Sequence, residues 1–393
     1  MRKKLLLLAT MVSASSLSYA QATDQSETET NLKQDNAAFV FTESQLGEDD
    51  DMTQNVIMVN SSNNVYTSNV GYLFSPMRYK YRAYNSRYND IYFNGVQVNN
   101  AENGQFNYST IGGINDATRN IDASGVFESN AFSMANIGGS SNYNFRANSY
   151  AAGHNITLSG ANRNYTARAM YSYNSGVSKD GWIFSGALTY RWASMGTANV
   201  EGTFYNALSY YLGVEKIIND RHSISLVTWG NPTERATQNG STDEMYWIAN
   251  NQYYNRNWGY QNGKKRSAAI AESFAPSVLL TWDWTIDDKT KLTTSLLGKY
   301  SKYSKSSLDY ANSTNPRPDY YSLMPSYWYD VWGGDGDKDA VALNNWQQAY
   351  NYLKASKENR QLNWDKLYYA NKSAALQGND AMYWLRAYHD DQI

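Results

Sequence analysis

The sequence predicts an all-β antiparallel transmembrane barrel, incomplete at about seven strands, preceded by a small α+β domain. Three observations point there. The second half alternates apolar and polar residues with period two over runs of about twelve residues, longer than the five or six usual in soluble sheets. The connections between those runs are short at one end and long at the other, an asymmetry typical of outer-membrane barrels. Tyrosine, at 35 residues, outnumbers phenylalanine, at 11, and is joined by 12 tryptophans. Such side chains suit a boundary between apolar and wet surroundings.

Composition removes several alternatives. Across 393 residues, 34 Lys+Arg nearly balance 36 Asp+Glu, for a net charge of −2. A dedicated nucleic-acid binder would carry a basic excess. The absence of cysteine excludes disulfides, thiolate zinc sites and cysteine nucleophiles. A mean hydropathy of −0.65 excludes a bundle of apolar transmembrane helices but not a barrel, whose strands are half polar.

Residues 1–20 read as a signal peptide. Arg2-Lys3-Lys4 form a basic start, 5–12 an apolar core too short to span a bilayer, and Ser18-Tyr19-Ala20 a small-residue cleavage site. No cysteine follows to carry a lipid anchor, and the mature chain is expected to start near Gln21, outside the cytoplasm. Residues 21–38 are polar and aperiodic, a flexible N-terminal arm. Residues 39–150 hold short apolar runs at 56–59, 66–70, 90–93 and 125–127, with turns such as Asn94-Gly95 and Gly138-Gly139-Ser140-Ser141. This is the small α+β domain, and its boundary falls near Tyr150.

From 151 to 393 the pattern is that of a partial barrel, with strands at 153–160, 164–175, 181–193, 205–218, 222–230, 274–286 and 290–303. Trp182, Phe184, Gly186, Leu188, Tyr190 and Trp192 share one face, opposite Ser185, Thr189 and Arg191. Leu208, Tyr210, Leu212 and Val214 oppose Ser209, Tyr211, Gly213 and Glu215. Val278, Leu280, Trp282, Trp284 and Ile286 oppose Thr281, Asp283 and Thr285. The turns near 176–181, 219–221 and 287–289 are tight, whereas 231–273 and 304–393 are expected as long external loops. A soluble β-sandwich would instead bury the apolar faces between two layers.

The segment Tyr81-Arg82-Ala83-Tyr84-Asn85-Ser86-Arg87-Tyr88-Asn89-Asp90-Ile91-Tyr92-Phe93-Asn94-Gly95-Val96 resembles the plug-domain core of TonB-dependent outer-membrane receptors of the Bacteroidota, with Ala83 where a glycine is common. Gly112-Gly113-Ile114-Asn115-Asp116-Ala117-Thr118-Arg119-Asn120 is similar to a later plug segment. Residues 200–205 and 255–266 resemble the first strands and loops of its barrel, and 317–321 with 325–327 a later external loop. The resemblance implies a 22-stranded barrel closed by an N-terminal plug, performing energy-coupled uptake of a scarce nutrient: an iron chelate, a cobalamin-like cofactor or an oligosaccharide. It further implies the outer membrane of a Gram-negative bacterium. The implied partners are the TonB-ExbB-ExbD complex, outer-membrane lipid and a surface lipoprotein. No enzyme activity, cofactor, metal or nucleic-acid partner is expected.

Two departures stand out. Residues 21–38 are too few for the small β-domain that often precedes such plugs, and no TonB-box pentapeptide stands out in 21–36. Seven strands also fall short of 22, and 370–393 alternates poorly, so the chain reads as a C-terminally truncated fragment. The alternative functions are a small barrel serving as an adhesin or structural protein, and a secreted carbohydrate-binding β-protein.

Candidate sites follow. Trp247, Tyr253, Tyr254, Trp258 and Tyr260 crowd the 231–273 loop, either as stacking faces for sugars or planar ligands or as self-packing. The resemblance adds Tyr84, Asn85, Arg87 and Tyr88 at the plug apex. Arg82 and Arg119 are expected to pair with Glu201 or Glu215 as a plug–barrel gate. Residues 340–370 read as helical, with Leu343, Trp346, Ala349, Tyr350 and Leu353 and then Trp364, Leu367 and Tyr368 at helical spacing; they form a lid or a packed loop helix. The carboxylates of 335–339 resemble the start of a calcium loop, but its twelfth position is Trp346, so a solvated turn is expected. Glu48 to Asp51 is a surface acidic run. His154, His222 and His389 are scattered, and no Gly-x-Ser-x-Gly or P-loop pattern occurs.

Overall fold

The computed structural model describes residues 86–393 apart from 115–116, 119, 125–128, 135–136, 150, 163–164, 312, 333–339 and 393. The chain divides into Met1–Val40 and Phe41–Ile393, and every described residue belongs to the second unit. The expected signal peptide, arm and calcium-like turn lie outside the described residues.

A small sheet comes first. Strands β1 (Asp90–Phe93), β2 (Val96–Gln97), β3 (Ile121–Ser124) and β4 (Ser140–Tyr143) lie in the order β2-β1-β4-β3, with β1 parallel to β4. Asn94-Gly95 closes the β1–β2 hairpin with φ of 46° and 85°, the left-handed pair that a two-residue hairpin turn requires. The helical pieces of this region, among the described residues, are short 3-10 turns, so the α+β expectation is met there only by strands.

After Ser149 the chain enters a large antiparallel sheet. It begins with β5 (Gly153–Gly160), β6 (Ala167–Asn174), β7 (Trp182–Ala193), β8 (Tyr205–Asn219) and β9 (His222–Gly230). Next come β10 (Thr233–Ala236), β13 (Ile270–Phe274), β14 (Ser277–Thr285), β15 (Lys291–Lys299), β16 (Ser301–Asp309) and β18 (Trp384–Gln392). A separate three-stranded sheet holds β11 (Trp258–Gln261), β12 (Lys264–Ser267) and β17 (Leu362–Asn363).

Where the sequence suggests seven strands, the large sheet has eleven. Three pairs are single runs with a joint: β9 continues into β10, β13 into β14, and β15 into β16. Two of the joints carry proline, which reads as a strand breaker because it cannot donate to the ladder. Here the proline carbonyls keep the ladder intact. Pro232 accepts from Leu208 N at 3.1 Å, and Pro276 accepts from Tyr300 N at 3.1 Å. The poorly alternating C-terminal segment also proves to be a strand, as β18 pairs with β16 from Ser301↔Gln392 to Asp309↔Trp384. Both strands are rich in polar residues, so backbone pairing rather than side-chain period places them. Among the described residues β5 pairs only with β6 and β18 only with β16, leaving two lateral edges.

The turns 175–181, 220–221 and 286–290 join strands at one end of the sheet, and 161–166, 194–204, 237–269 and 310–383 lie at the other. The last two are not plain loops. They contain α1 (Asp243–Ala249), α2 (Pro325–Trp332), α3 (Ala340–Ala355), α4 (Trp364–Leu376) and the three-stranded sheet. The 340–370 region is therefore two helices interrupted by a 3-10 turn and β17.

Candidate functional site

The large sheet is inside out relative to a soluble fold. Trp182, Phe184, Leu188, Tyr190, Trp192, Leu208, Leu212, Leu226, Val278, Leu280 and Trp282 are exposed, whereas Ser185, Thr189, Arg191, Ser209, Glu215, Ser225 and Thr281 are buried. Along β7 the two classes alternate without a break outside Gly186. Apolar residues also stand on the buried face: Ala187, Tyr211, Val227, Trp229 and Leu279 pack with Ile91, Phe93, Phe106, Tyr143 and Phe145 of the small-sheet region. Phe145 stacks on Trp229 at 4.7 Å, and Phe93 meets the same indole edge-on at 5.5 Å.

Around this apolar seat runs a collar of polar contacts. Arg146 forms a two-pronged ion pair with Asp283, Nε to Oδ2 at 2.5 Å and Nη2 to Oδ1 at 2.8 Å. Asn148 N donates to Glu215 Oε2 at 2.9 Å, Asn174 Nδ2 donates to the Ala147 carbonyl at 2.7 Å, and Tyr211 Oη donates to the Phe145 carbonyl at 3.0 Å. Asn94 donates to Thr281 Oγ1 at 2.9 Å, and its carbonyl accepts from Ser295 at 2.8 Å. Nearer the long-loop end, Asn231 donates to the Ser109 carbonyl at 2.8 Å and accepts from Arg191 at 2.7 Å. Gly112 and Gly113 lie against this group, where a side chain on Gly113 would strike Ser209.

Asp283→Ala would leave the part-buried Arg146 guanidinium without its carboxylate. We expect it to weaken docking of the small sheet by about 1–3 kcal/mol. Hydrogen exchange of the β4 amides reads the effect, and a cycle with Arg146→Ala should return a coupling above about 0.5 kcal/mol.

At the long-loop end three connections knit into one module. Thr242 caps α1 by accepting from Met245 N, and Met245, Ile248, Tyr254, Met324 and Leu353 form its core. Tyr254 Oη donates to the Arg360 carbonyl at 2.6 Å, Ser326 Oγ to Glu244 at 2.6 Å, and Arg256 pairs with the buried Asp319 at 3.0 Å. Trp258 is fully buried beside Gly202, and the Arg266 guanidinium sits 4.3 Å over Trp364 while donating to Tyr368.

Glu201 joins the 194–204 connection to both longer ones, receiving Lys265 at 2.8 Å and Lys357 at 2.9 Å. Partial burial pushes its carboxyl up, but the hydrogen bonds from the two lysines outweigh this and hold it below the ordinary 4.5. The bond to Glu201 raises Lys357 above 10.5. The sign follows: the carboxylate's contribution is present above 4.5 and fades as pH falls through the lowered value. The lysine's is full below 10.5 and fades as pH rises through the raised one. Protection of the β12 amides should therefore be flat between those limits and drop outside them, and Glu201→Gln should remove the acid-side loss.

The sequence-derived candidates distribute as follows. Tyr84, Asn85, Arg82 and Arg119 lie outside the described residues. Arg87 is exposed and donates to Tyr88 Oη at 2.8 Å. Trp247 and Tyr253 are exposed, at 60% and 55%, whereas Tyr254 and Trp258 are buried and pack the module instead of presenting faces. Tyr260 meets Trp258 edge-on at 5.3 Å. Of the gate carboxylates, Glu215 does face the small-sheet region, with Asn148 as its partner, but Glu201 holds loop lysines instead. The structure adds Arg146, Asp283, Asn174 and Asn231 to the candidates. An inward-facing acid on an amphipathic strand, as Asp283 is, was the available signal. Among the described residues there is no group of three or more metal-ligating side chains, and no helix is long and apolar enough to cross a membrane. His222 stacks with Trp282 and Trp284, and His154 stacks with Tyr171 and meets Tyr173 at a tilt of 34°.

Among solved structures, the fold is similar to the siderophore receptor PiuA from Acinetobacter baumannii, at 14% identity and a TM-score of 0.40, over 57% of this chain and 30% of that one. It is also similar to the ferripyoverdine receptor of the outer membrane of Pseudomonas aeruginosa bound to ferripyoverdine, at 10% identity and a TM-score of 0.29, over 57% of this chain and 33% of that one. The match spans about a third of either receptor. No protein-family model and no curated protein matches the chain.

Proposed function

We propose that this protein is a TonB-dependent outer-membrane receptor that imports a scarce nutrient, with 39–150 as its plug and 151–393 as barrel wall and external loops. The inverted sheet carries the reading. A face bearing Trp182, Leu188, Leu212 and Leu280 in the open, over a polar and charged buried face, is stable when its surroundings are hydrocarbon. Ser185, Thr189 and Ser225 hydroxyls and one Glu215 oxygen are buried with no hydrogen-bond partner among the described residues, at a cost of about 1–3 kcal/mol each in a dry core. A water-bearing lumen relieves that cost.

Dimensions agree. From Trp182 to Trp192, at ~3.3 Å per residue and a strand tilt of ~40°, the aromatic ends of β7 stand about 25 Å apart along the membrane normal, the height of a barrel's apolar band. Lys216 over the Trp182 ring places a cation at the rim.

In this reading the collar around Arg146, Glu215 and Asn231 keeps the plug seated until the TonB-ExbB-ExbD complex pulls on it. Substrate meets the loop module first, with Trp247 and Tyr253 as its open aromatic faces and Arg87 and Tyr88 on the plug. A surface lipoprotein is a further candidate partner there. Reconstitution into liposomes containing brominated lipids tests the reading. Outward tryptophans such as Trp182 and Trp282 should be strongly quenched and the folded band should shift on heating. A mature chain that stays soluble and unquenched without detergent would overturn it.

A further inference from the structure

We infer that the apolar face of the large sheet carries, at its short-turn end, a docking site for one glycerophospholipid, whose phosphate is held by Lys216 and His222 between Trp182 and Trp282. The inference rests on the proposed receptor reading, which turns this face toward lipid, and assigns a specific lipid contact on it. Strand register lays the site out. Trp182, Lys216, Ile224 and Trp282 are successive partners across β7, β8, β9 and β14, so they form one row on one face. The two indoles are three strands apart, about 14 Å at ~4.8 Å per strand. His222 stands two residues nearer the turn than Ile224 and is partnered with Trp284. On the other side of the row, toward mid-sheet, Phe184, Val214, Leu226 and Leu280 make a second row that is wholly apolar.

Aromatic neighbours aim both polar groups. Lys216 Nζ lies 4.9 Å over the Trp182 ring and donates to the Asp180 carbonyl, which leaves two of its three N–H bonds. Trp282 Nε1 donates to His222 Nδ1 at 3.3 Å, an assignment that puts the ring proton on Nε2. The imidazole lies within 16° of the Trp282 plane and 23° of the Trp284 plane, at 5.9 and 5.6 Å, so the three rings tile the surface and fix its direction. Among the described residues nothing accepts from His222 Nε2. Hydrocarbon cannot satisfy these donors, whereas a phosphodiester at the level of the aromatic belt offers two free oxygens to them. The neighbouring turns add no net charge, because Lys179, Arg221, Lys289 and Lys291 balance Asp180, Asp220, Asp287 and Asp288. Recognition therefore depends on contact with Lys216 and His222 and not on a general basic surface. The apolar row beneath takes the acyl chains, which commits the site to a lipid instead of free phosphate.

The test uses the full chain in detergent micelles, titrated with dioleoylphosphatidylethanolamine, dioleoylphosphatidylglycerol, dioleoylglycerol and inorganic phosphate, with bound molecules counted by native mass spectrometry. Saturable binding of one phospholipid per chain is expected, at least tenfold tighter than dioleoylglycerol, with inorganic phosphate not retained. Lys216→Gln combined with His222→Phe, which keeps the ring tile, should weaken phospholipid binding at least tenfold. Lys216→Gln alone should weaken it at least threefold, and Lys216→Arg should bind like the parent. Unchanged heat-modifiable migration establishes that each variant still folds. Equal binding of dioleoylglycerol, retention of inorganic phosphate at the same site, or phospholipid binding indifferent to the double substitution would each overturn the inference. Any of these together with tryptophan quenching by brominated lipid sinks the site only, whereas a soluble, unquenched chain sinks the receptor reading itself.

Discussion

Leu212→Arg is expected to lower the stability of the membrane-inserted fold by about 2–4 kcal/mol. Leu212 lies at the middle of β8, is 58% exposed and sits on the face shared with Leu208. In a barrel this is the bilayer midplane, where an outward arginine costs about 2–4 kcal/mol. That cost corresponds to a drop of roughly 30- to 1000-fold in the equilibrium constant between the folded, inserted chain and the unfolded one. The same substitution on a soluble protein, at a position already more than half in water, would lie within about 0.5 kcal/mol of neutral. The two environments therefore predict effects of different size at one residue. Urea titration of folding into lipid vesicles, read by heat-modifiable migration, measures the difference. Leu226→Arg, on the same face of β9 at 49% exposure, should behave likewise. A Leu212→Arg protein whose urea midpoint in vesicles equals the parent's would contradict the lipid-facing assignment.

Gly113→Ala should loosen the small sheet from its seat, which in the proposed receptor is the seat of the plug. Gly113 has a φ of +81°, which costs an L-residue about 1–2 kcal/mol by itself. A Cβ there would also lie 2.3 Å from Ser209 Oγ and 2.9 Å from Ser209 Cβ, with Arg191 Nε at 3.3 Å. The hydroxyl can rotate away, but Ser209 Cβ belongs to a paired strand and cannot, which adds about 1–3 kcal/mol of overpacking. Together these reach about 2–5 kcal/mol, concentrated where Asn231 and Arg191 meet the Ser109–Gly113 turn. Raised permeability to a large antibiotic, with insertion unchanged, is the expected phenotype. Ser209→Gly in the same chain should recover the overpacking share and leave the backbone share. Equal leak in the single and double variants would place the effect in the backbone alone.

How much of this was legible beforehand differs by element. The long amphipathic strands were plain because twelve alternating residues such as those of β7 admit few other readings. The jointed strands were not, since Asn231-Pro232 and Ala275-Pro276 interrupt the alternation while the hydrogen-bond ladder continues through their carbonyls. β18 was invisible because its pairing with β16 is made by backbone groups that every sequence supplies. Among the candidate residues, Trp247 and Trp258 are indistinguishable as letters eleven positions apart in one loop. One is exposed and the other fully buried, because β11 pairs with β17 from a segment about a hundred residues downstream. Arg146 and Asp283 are likewise 137 positions apart, and nothing local to either announces the other.

The sequence by itself determined the face of each long strand, the tight and open ends of the sheet, and the helical character of the 340–370 region, because period and turn chemistry act over a few neighbouring residues. Only the tertiary structure decided which inward polar groups hold the small sheet in its seat, which loop aromatics remain open, and that three connections merge into one module. Those outcomes depend on distances between segments far apart along the chain, where burial and pairing are fixed by what arrives from elsewhere.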